Sequence, residues 1–176
     1  MKLFLLILLT PFCGFASVEI AFIELRNYQG ELIELEPNGK FAHMAISYKG
    51  HWLHSHPFRG VEIIPQDKLE EIGTINAIVT IPETPSLTEV QVKKFLGKPY
   101  DTEFSWSDER IYCSELIAKL LHIEPKPMSF ASKAWPESFR AFKGKLGLSP
   151  DDIFKALIQK DYNSDSFKFR CSKIFR

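Results

Sequence analysis

The chain has 176 residues, 45% of them apolar and 13% aromatic, which suits one domain with a sizeable core. Its 22 basic and 22 acidic side chains balance, and no basic stripe exists to neutralise phosphates, so nucleic-acid binding is excluded. The near-neutral charge gives no electrostatic hint about a substrate.

The chain opens MKLFLLILLTPFCGFAS. Lys2 supplies a positive start, Leu3 to Leu9 an unbroken apolar run, and Gly14-Phe15-Ala16 places small residues at the two positions a signal peptidase reads. The run is too short to cross a bilayer core of roughly 30 Å. Residues 1–16 are therefore expected to be a cleaved secretory signal, cut at Ala16–Ser17. A lipoprotein reading of Cys13 fares worse, because Thr10-Pro11-Phe12 lacks the small residue expected before a lipidated cysteine. Residues 17–176 are then a single exported domain, periplasmic or secreted, with a net charge of about −1 and no transmembrane segment. Two cysteines remain, Cys113 and Cys171. An exported protein could pair them, and that disulfide would block any catalytic thiol.

VEIAFIEL (18–25) alternates partly and predicts a first strand, and ELIELE (31–36) a second, with Asn27-Tyr28-Gln29-Gly30 as the turn. FAHMAISY (41–48) and WLHSH (52–56) flank Lys49-Gly50-His51, a short hairpin loop. VEIIP (61–65) and TINAIVTI (74–81) complete a mostly antiparallel sheet of five or six strands. Ser86-Leu87-Thr88-Glu89 fits a capping box ahead of VQVKKFL, and Gly97 stops that helix. Residues 113–122 form a second helix, with Leu116, Ile117, Leu120 and Leu121 on its apolar face. Ser149-Pro150-Asp151-Asp152 starts a third over 150–160, and SFKFRC (166–171) predicts a terminal strand. Residues 123–148, rich in Pro, Phe and Trp, form an ordered wrap. The class is α+β, with the sheet packed against helices.

Cys113 opens the second helix, where unpaired N–H groups gather and favour thiolate over thiol. The alternative is a small buried hydrophobe. Cysteine catalysis also needs a base and a group to orient it. Four of the five histidines, His43, His51, His54 and His56, fall inside fourteen residues that span two adjacent predicted strands and the loop between them. Period two puts His43 on one face of the first, and His54 and His56 on one face of the second. The hairpin can bring those faces together. His51 belongs to the loop, and His122 suits the negative end of its helix. Clustered histidines also suit zinc, but Glu62 is the one carboxylate near ligand spacing, and HSH on a strand converges poorly on one ion. No metal and no cofactor are expected.

Four pieces in order, FAHMAI with its H-x-A/G-I pattern, RGVEIIP, LGKPYD and IYCSEL, resemble the YiiX/YebB-like group of NlpC-type papain-like cysteine hydrolases. These are circularly permuted, so the histidine precedes the cysteine. The resemblance covers residues 40–122 and implies a permuted papain-like fold, with Cys113 as nucleophile and His43 as base. The group's third polar residue is often a glutamate on the following strand. His54 stands at that position here, with His56 and Glu62 as the other candidates. Tyr100 and Asp101 match the group's Y-D and are expected to shape the loop presenting the cysteine, and Tyr112 either lines the site or packs. Ser114 and Glu115 are expected to cap the helix, and the N–H of Cys113 to stabilise an oxyanion.

The resemblance implies an exported amidase or peptidase that cleaves an amide or ester through an acyl-enzyme. Its substrate would be cell-wall peptide or an acylated amine, a peptide, small molecule or lipid-like group. Fifteen phenylalanines and three tryptophans leave room for an apolar pocket and a lipid-directed acyl hydrolase or transferase. The reading from another class is an inert exported binding module of the same fold.

Overall fold

The computed structural model describes residues 17–82, 84–163 and 170–174, with side-chain surroundings through residue 158. The predicted leader and the Cys171 side chain lie outside the described residues. Six strands, β1 (Val18–Glu24), β2 (His43–Tyr48), β3 (His51–His56), β4 (Gly60–Ile64), β5 (Thr74–Ile81) and β8 (Arg170–Ile174), form one sheet ordered β4-β3-β2-β1-β5-β8. Every neighbouring pair is antiparallel. A two-stranded ribbon of β6 (Lys126–Pro127) and β7 (Leu146–Gly147) ties off the 123–148 wrap. The helices are α1 (Gln66–Glu70), α2 (Glu89–Phe95), α3 (Cys113–Leu121) and α4 (Pro150–Asn163).

Period two sorts the strands into two faces. Ile20, Phe22, Met44, Ile46, Leu53 and Val61 bury against α3 and α4. Ala21, Ile23, Ala45, Trp52 and Ile64 bury on the other side with Leu69 of α1. The short α1 went unpredicted because QDKLE offers a single apolar contact, Leu69.

Three expectations need correction. Residues 31–36 form no strand; Leu32 makes one isolated bridge to Arg26. Their backbone instead serves the wrap, since Trp135 Nε1–H donates to Leu35 O at 2.8 Å and Ser132 Oγ to Glu34 O. The α2 capping box belongs to Thr88 and Gln91, two residues on from the predicted start. The β2–β3 turn is Lys49-Gly50, at φ 49° and 75°, so His51 is the first residue of β3. Two positive φ values match a primed hairpin turn, whose twist suits the flanking strands.

The helices hold the ends of the site's strands. Ser149 and Asp152 cap α4 reciprocally, at 3.2 and 3.1 Å. Asp151 accepts from Lys40 N–H at 2.9 Å and Phe41 N–H at 3.3 Å, which fixes the entry into β2 just before His43. Phe41 packs edge-on against Phe154 of α4.

Candidate active site

Cys113 is a free thiol, buried at 4% exposure, at the first position of α3. Two anchors place it. Ser55 of β3 donates to Ile111 O at 2.5 Å, and Ser114 Oγ donates to Leu148 O at 2.7 Å. The sulfur faces the N–H groups of Ser114, Met44 and Cys113, which favour its charged form. Burial outweighs them and pushes the thiol up to about 11. The expected thiolate at a helix N-terminus is thus corrected, because the dipole's first turn is buried here.

The loop before α3 is stitched to the sheet. Val61 N–H donates to Lys98 O and Gly97 N–H to Val61 O, both at 2.8 Å, and Ile111 N–H donates to Pro99 O at 2.9 Å. Gly60, at φ 74°, permits this, since a Cβ there would collide with Lys98 O. Tyr100 is thereby held with its hydroxyl toward the Cys113 thiol, and burial raises the phenol's pKa well above its ordinary value. Asp101, 1% exposed, accepts from Glu103 N–H at 2.9 Å and from the N–H and hydroxyl of Ser105 at 2.6 and 2.9 Å. This clamp holds Phe104 at φ 51°. Both residues shape the loop.

His43 is the first residue of β2 and 3% exposed. The register pairs Ile46 with Leu53, Ser47 with Trp52 and Tyr48 with His51. Continued, it sets Ala45 against His54, so His54 is diagonal to His43 across a position carrying only a methyl group. Such neighbours are within reach of long side chains. His43 Nε2 and His54 Nδ1 stand 2.9 Å apart, with the rings edge-on. His54 Nε2 lies 3.1 Å from Glu62 Oε1 on β4, its partner in the ladder. Arg59 grips both carboxylate oxygens of Glu62 from its Nε, at 2.8 and 2.9 Å. Burial holds His43 down to about 3, with His54 and His56 adding to it. Burial likewise takes His54 down to about 4 against the pull of Glu62.

Among the described residues no hydrogen bond joins the His43 ring to the thiol; what they share is Met44, whose N–H faces the sulfur. At rest the site holds a neutral thiol and a neutral imidazole. His56 stays outside the row: its Nδ1 accepts from Phe58 N–H at 3.1 Å. His51 is exposed, and His122 is the left-handed C-cap of α3 at φ 55°.

Tyr112 lines the cavity and also packs, its hydroxyl accepting from Leu148 N–H at 3.2 Å. Glu115 accepts from Tyr112 N–H at 3.3 Å and pairs with Lys119 at 2.8 Å; burial raises its pKa to about 7. A cavity of about 240 Å³ opens beside Cys113, walled by Phe104, Met128, Phe130, Trp135 and Phe139, with Glu36 at its edge. Sequence reasoning gave no positions for these walls. The signal was the aromatic density of 128–142, which has no strand or helix period to assign a face.

Residues 20–156 match the model of the family described as permuted papain-like amidase enzyme, YaeF/YiiX, C92 family. A 28-residue stretch is 64% identical to the YiiX protein of Escherichia coli (strain K12) and spans 16% of this chain and 14% of that relative. The crystal structure of metalloprotein YiiX from Escherichia coli O157:H7 shares the fold, with a TM-score of 0.58 and 19% identity over 89% of this chain and 97% of that one. Among the described residues here, no group of three or more His, Cys, Asp or Glu side chains is placed to hold a metal ion. Both ring nitrogens of His54 are bonded, and Arg59 occupies Glu62, so this donor set does not fit one. No described helix is long and apolar enough to cross a membrane.

Proposed function

The chain belongs to the permuted papain-like amidase family, and on that premise we propose an exported cysteine hydrolase that cleaves amides or esters of apolar acyl groups. The observation that carries it is the free Cys113 thiol, at a helix N-terminus, on the wall of an aromatic cavity. The acyl group lies among Phe104, Phe130 and Trp135, and the scissile carbonyl sits over the sulfur.

His43 Nδ1 takes the thiol proton as Sγ bonds to the carbonyl carbon, and the oxyanion is met by the N–H of Cys113. Collapse breaks the carbon–nitrogen bond, and the amine leaves with the proton from His43. Water then gives a proton to His43 and attacks the thioester, and Sγ leaves and recovers the proton. His54 orients His43 throughout. Proton transfer within a buried neutral pair avoids holding separated charges before substrate enters, which accords with the displaced pKa values of both partners.

The test is acyl trapping. Incubation with cell-wall fragments and with N-acyl amines, quenched and weighed by mass spectrometry, should add an acyl mass to wild type and none to Cys113→Ala. The buried neutral thiol also favours a second reading, a binding module of the same fold. Wild type that never gains mass or turns over any acyl substrate would favour that module.

A further inference from the structure

The row of side chains leading away from His43 does not stop at the third group. His54 has two ring nitrogens, and Glu62 and His43 engage one each. A carboxylate only accepts, so His54 Nε2 must carry the proton. Neutral His54 then has a bare Nδ1, which can only accept. The proton in the His43–His54 bond therefore sits on Nε2 of His43, and Nδ1 of His43 is left with its lone pair.

We propose that Glu62 is a positioning residue that acts on His43 through His54, fixing the tautomer of both rings so that Nδ1 of His43 is the basic nitrogen. The proposal rests on the reading of His43 as the base for Cys113. Three observations support it besides the two bonds. Glu62 pairs with His54 in the β3–β4 ladder, so its position is set by backbone register. Arg59 binds it through Nε and Nη2, the latter at 2.7 Å from Oε1, and this hydrogen bonding lowers the carboxyl pKa. The His54 side chain is fully buried, which shields both ring nitrogens from bulk solvent.

The charged and titratable groups around His54 are His43 from β2, His56 on its own strand, Glu62 from β4 and Arg59 from the turn between. Glu62 is the one anion among them. A histidine in the third position cannot supply the negative charge a carboxylate would. The next strand supplies it one residue further out.

The experiment reads tautomers directly. Two-bond proton–nitrogen NMR on the ¹⁵N-labelled full chain at pH 7 should show His43 and His54 both protonated on Nε2 and bare on Nδ1. In Glu62→Ala the Nδ1–H tautomer of His43 should appear, and kcat should fall about tenfold or more with KM little changed. Adding His54→Glu to Glu62→Ala should recover much of that loss, which a purely structural role at position 62 would not allow. Wild-type His43 protonated on Nδ1 overturns the proposal, and so does Glu62→Ala with an unchanged tautomer. The wild-type spectrum needs neither a folded variant nor a substrate, so failure of the hydrolase reading, seen as no acyl trapping, is told apart from failure of this one.

Discussion

Ser55 Oγ donates to the carbonyl of Ile111 at 2.5 Å, so the strand that carries His54 also grips the chain two residues before Cys113. Cys113 and His54 are thereby set on one scaffold. Ser55→Ala leaves a buried carbonyl without its donor, at a cost of about 1–3 kcal/mol. It also lets the start of α3 drift, and we expect kcat to fall about tenfold. Denaturant unfolding and steady-state kinetics check both, and full activity in a destabilised variant would show that Ile111 needs no such anchor.

The Cys113 thiol stands at about 11. Alkylation of the folded protein by iodoacetamide should therefore be slow and keep rising past pH 9, where an ordinary thiol near 8.5 levels off. A plateau near pH 6 would mean a thiolate–imidazolium pair already formed at rest.

Acid should unfold this protein early. His43 and His54 stand at about 3 and about 4, far below the 6.5 of an unfolded histidine. The unfolded chain thus binds two more protons near pH 5, and stability present above pH 6.5 drains as pH falls toward those values. The slope is about 1.4 kcal/mol per pH unit for each ring. Urea midpoints between pH 7 and 5 should fall accordingly, and His54→Asn should remove about half the dependence. A flat profile would contradict the burial of both rings.

Trp135 stacks on Phe139 at 5.2 Å in the cavity wall. Trp135→Ala should raise KM about tenfold for long apolar acyl substrates while leaving short ones nearly unchanged, as expected for lost apolar contact. An equal effect on both lengths would place the acyl group elsewhere.

Export rests on Lys2, the Leu3–Leu9 run and Gly14-Phe15-Ala16. Mass spectrometry of protein from its native host should find Ser17 as the first residue. A chain that still starts at Met1 would count against it.

The legible parts of the sequence were those with a period. TINAIVTI fell within its predicted bounds as β5, and α3 to within a residue. ELIELE alternates just as well, yet is no strand, because strand pairing depends on a partner edge that alternation does not reveal. Cys113, His43 and His54 could be nominated by motif order, and the fold brings His54 to His43. Of the two reserve candidates, Glu62 lies behind His54, whereas His56 is turned to the β3–β4 bend. The ionisation of Cys113 was not legible: dipole and desolvation act in opposite directions, and only packing decides their balance.

Contacts within the histidine row close short loops, 11 residues from His43 to His54 and 8 from His54 to Glu62, whereas Ser55 reaches Ile111 across 56. Short closures cost less entropy and form sooner. On a ribosome, where N-terminal segments gain structure first, the β2–β3–β4 meander can complete the His43–His54–Glu62 hydrogen bonds before Cys113 has been translated. Under the proposed mechanism the sulfur then reaches a base whose tautomer is already settled.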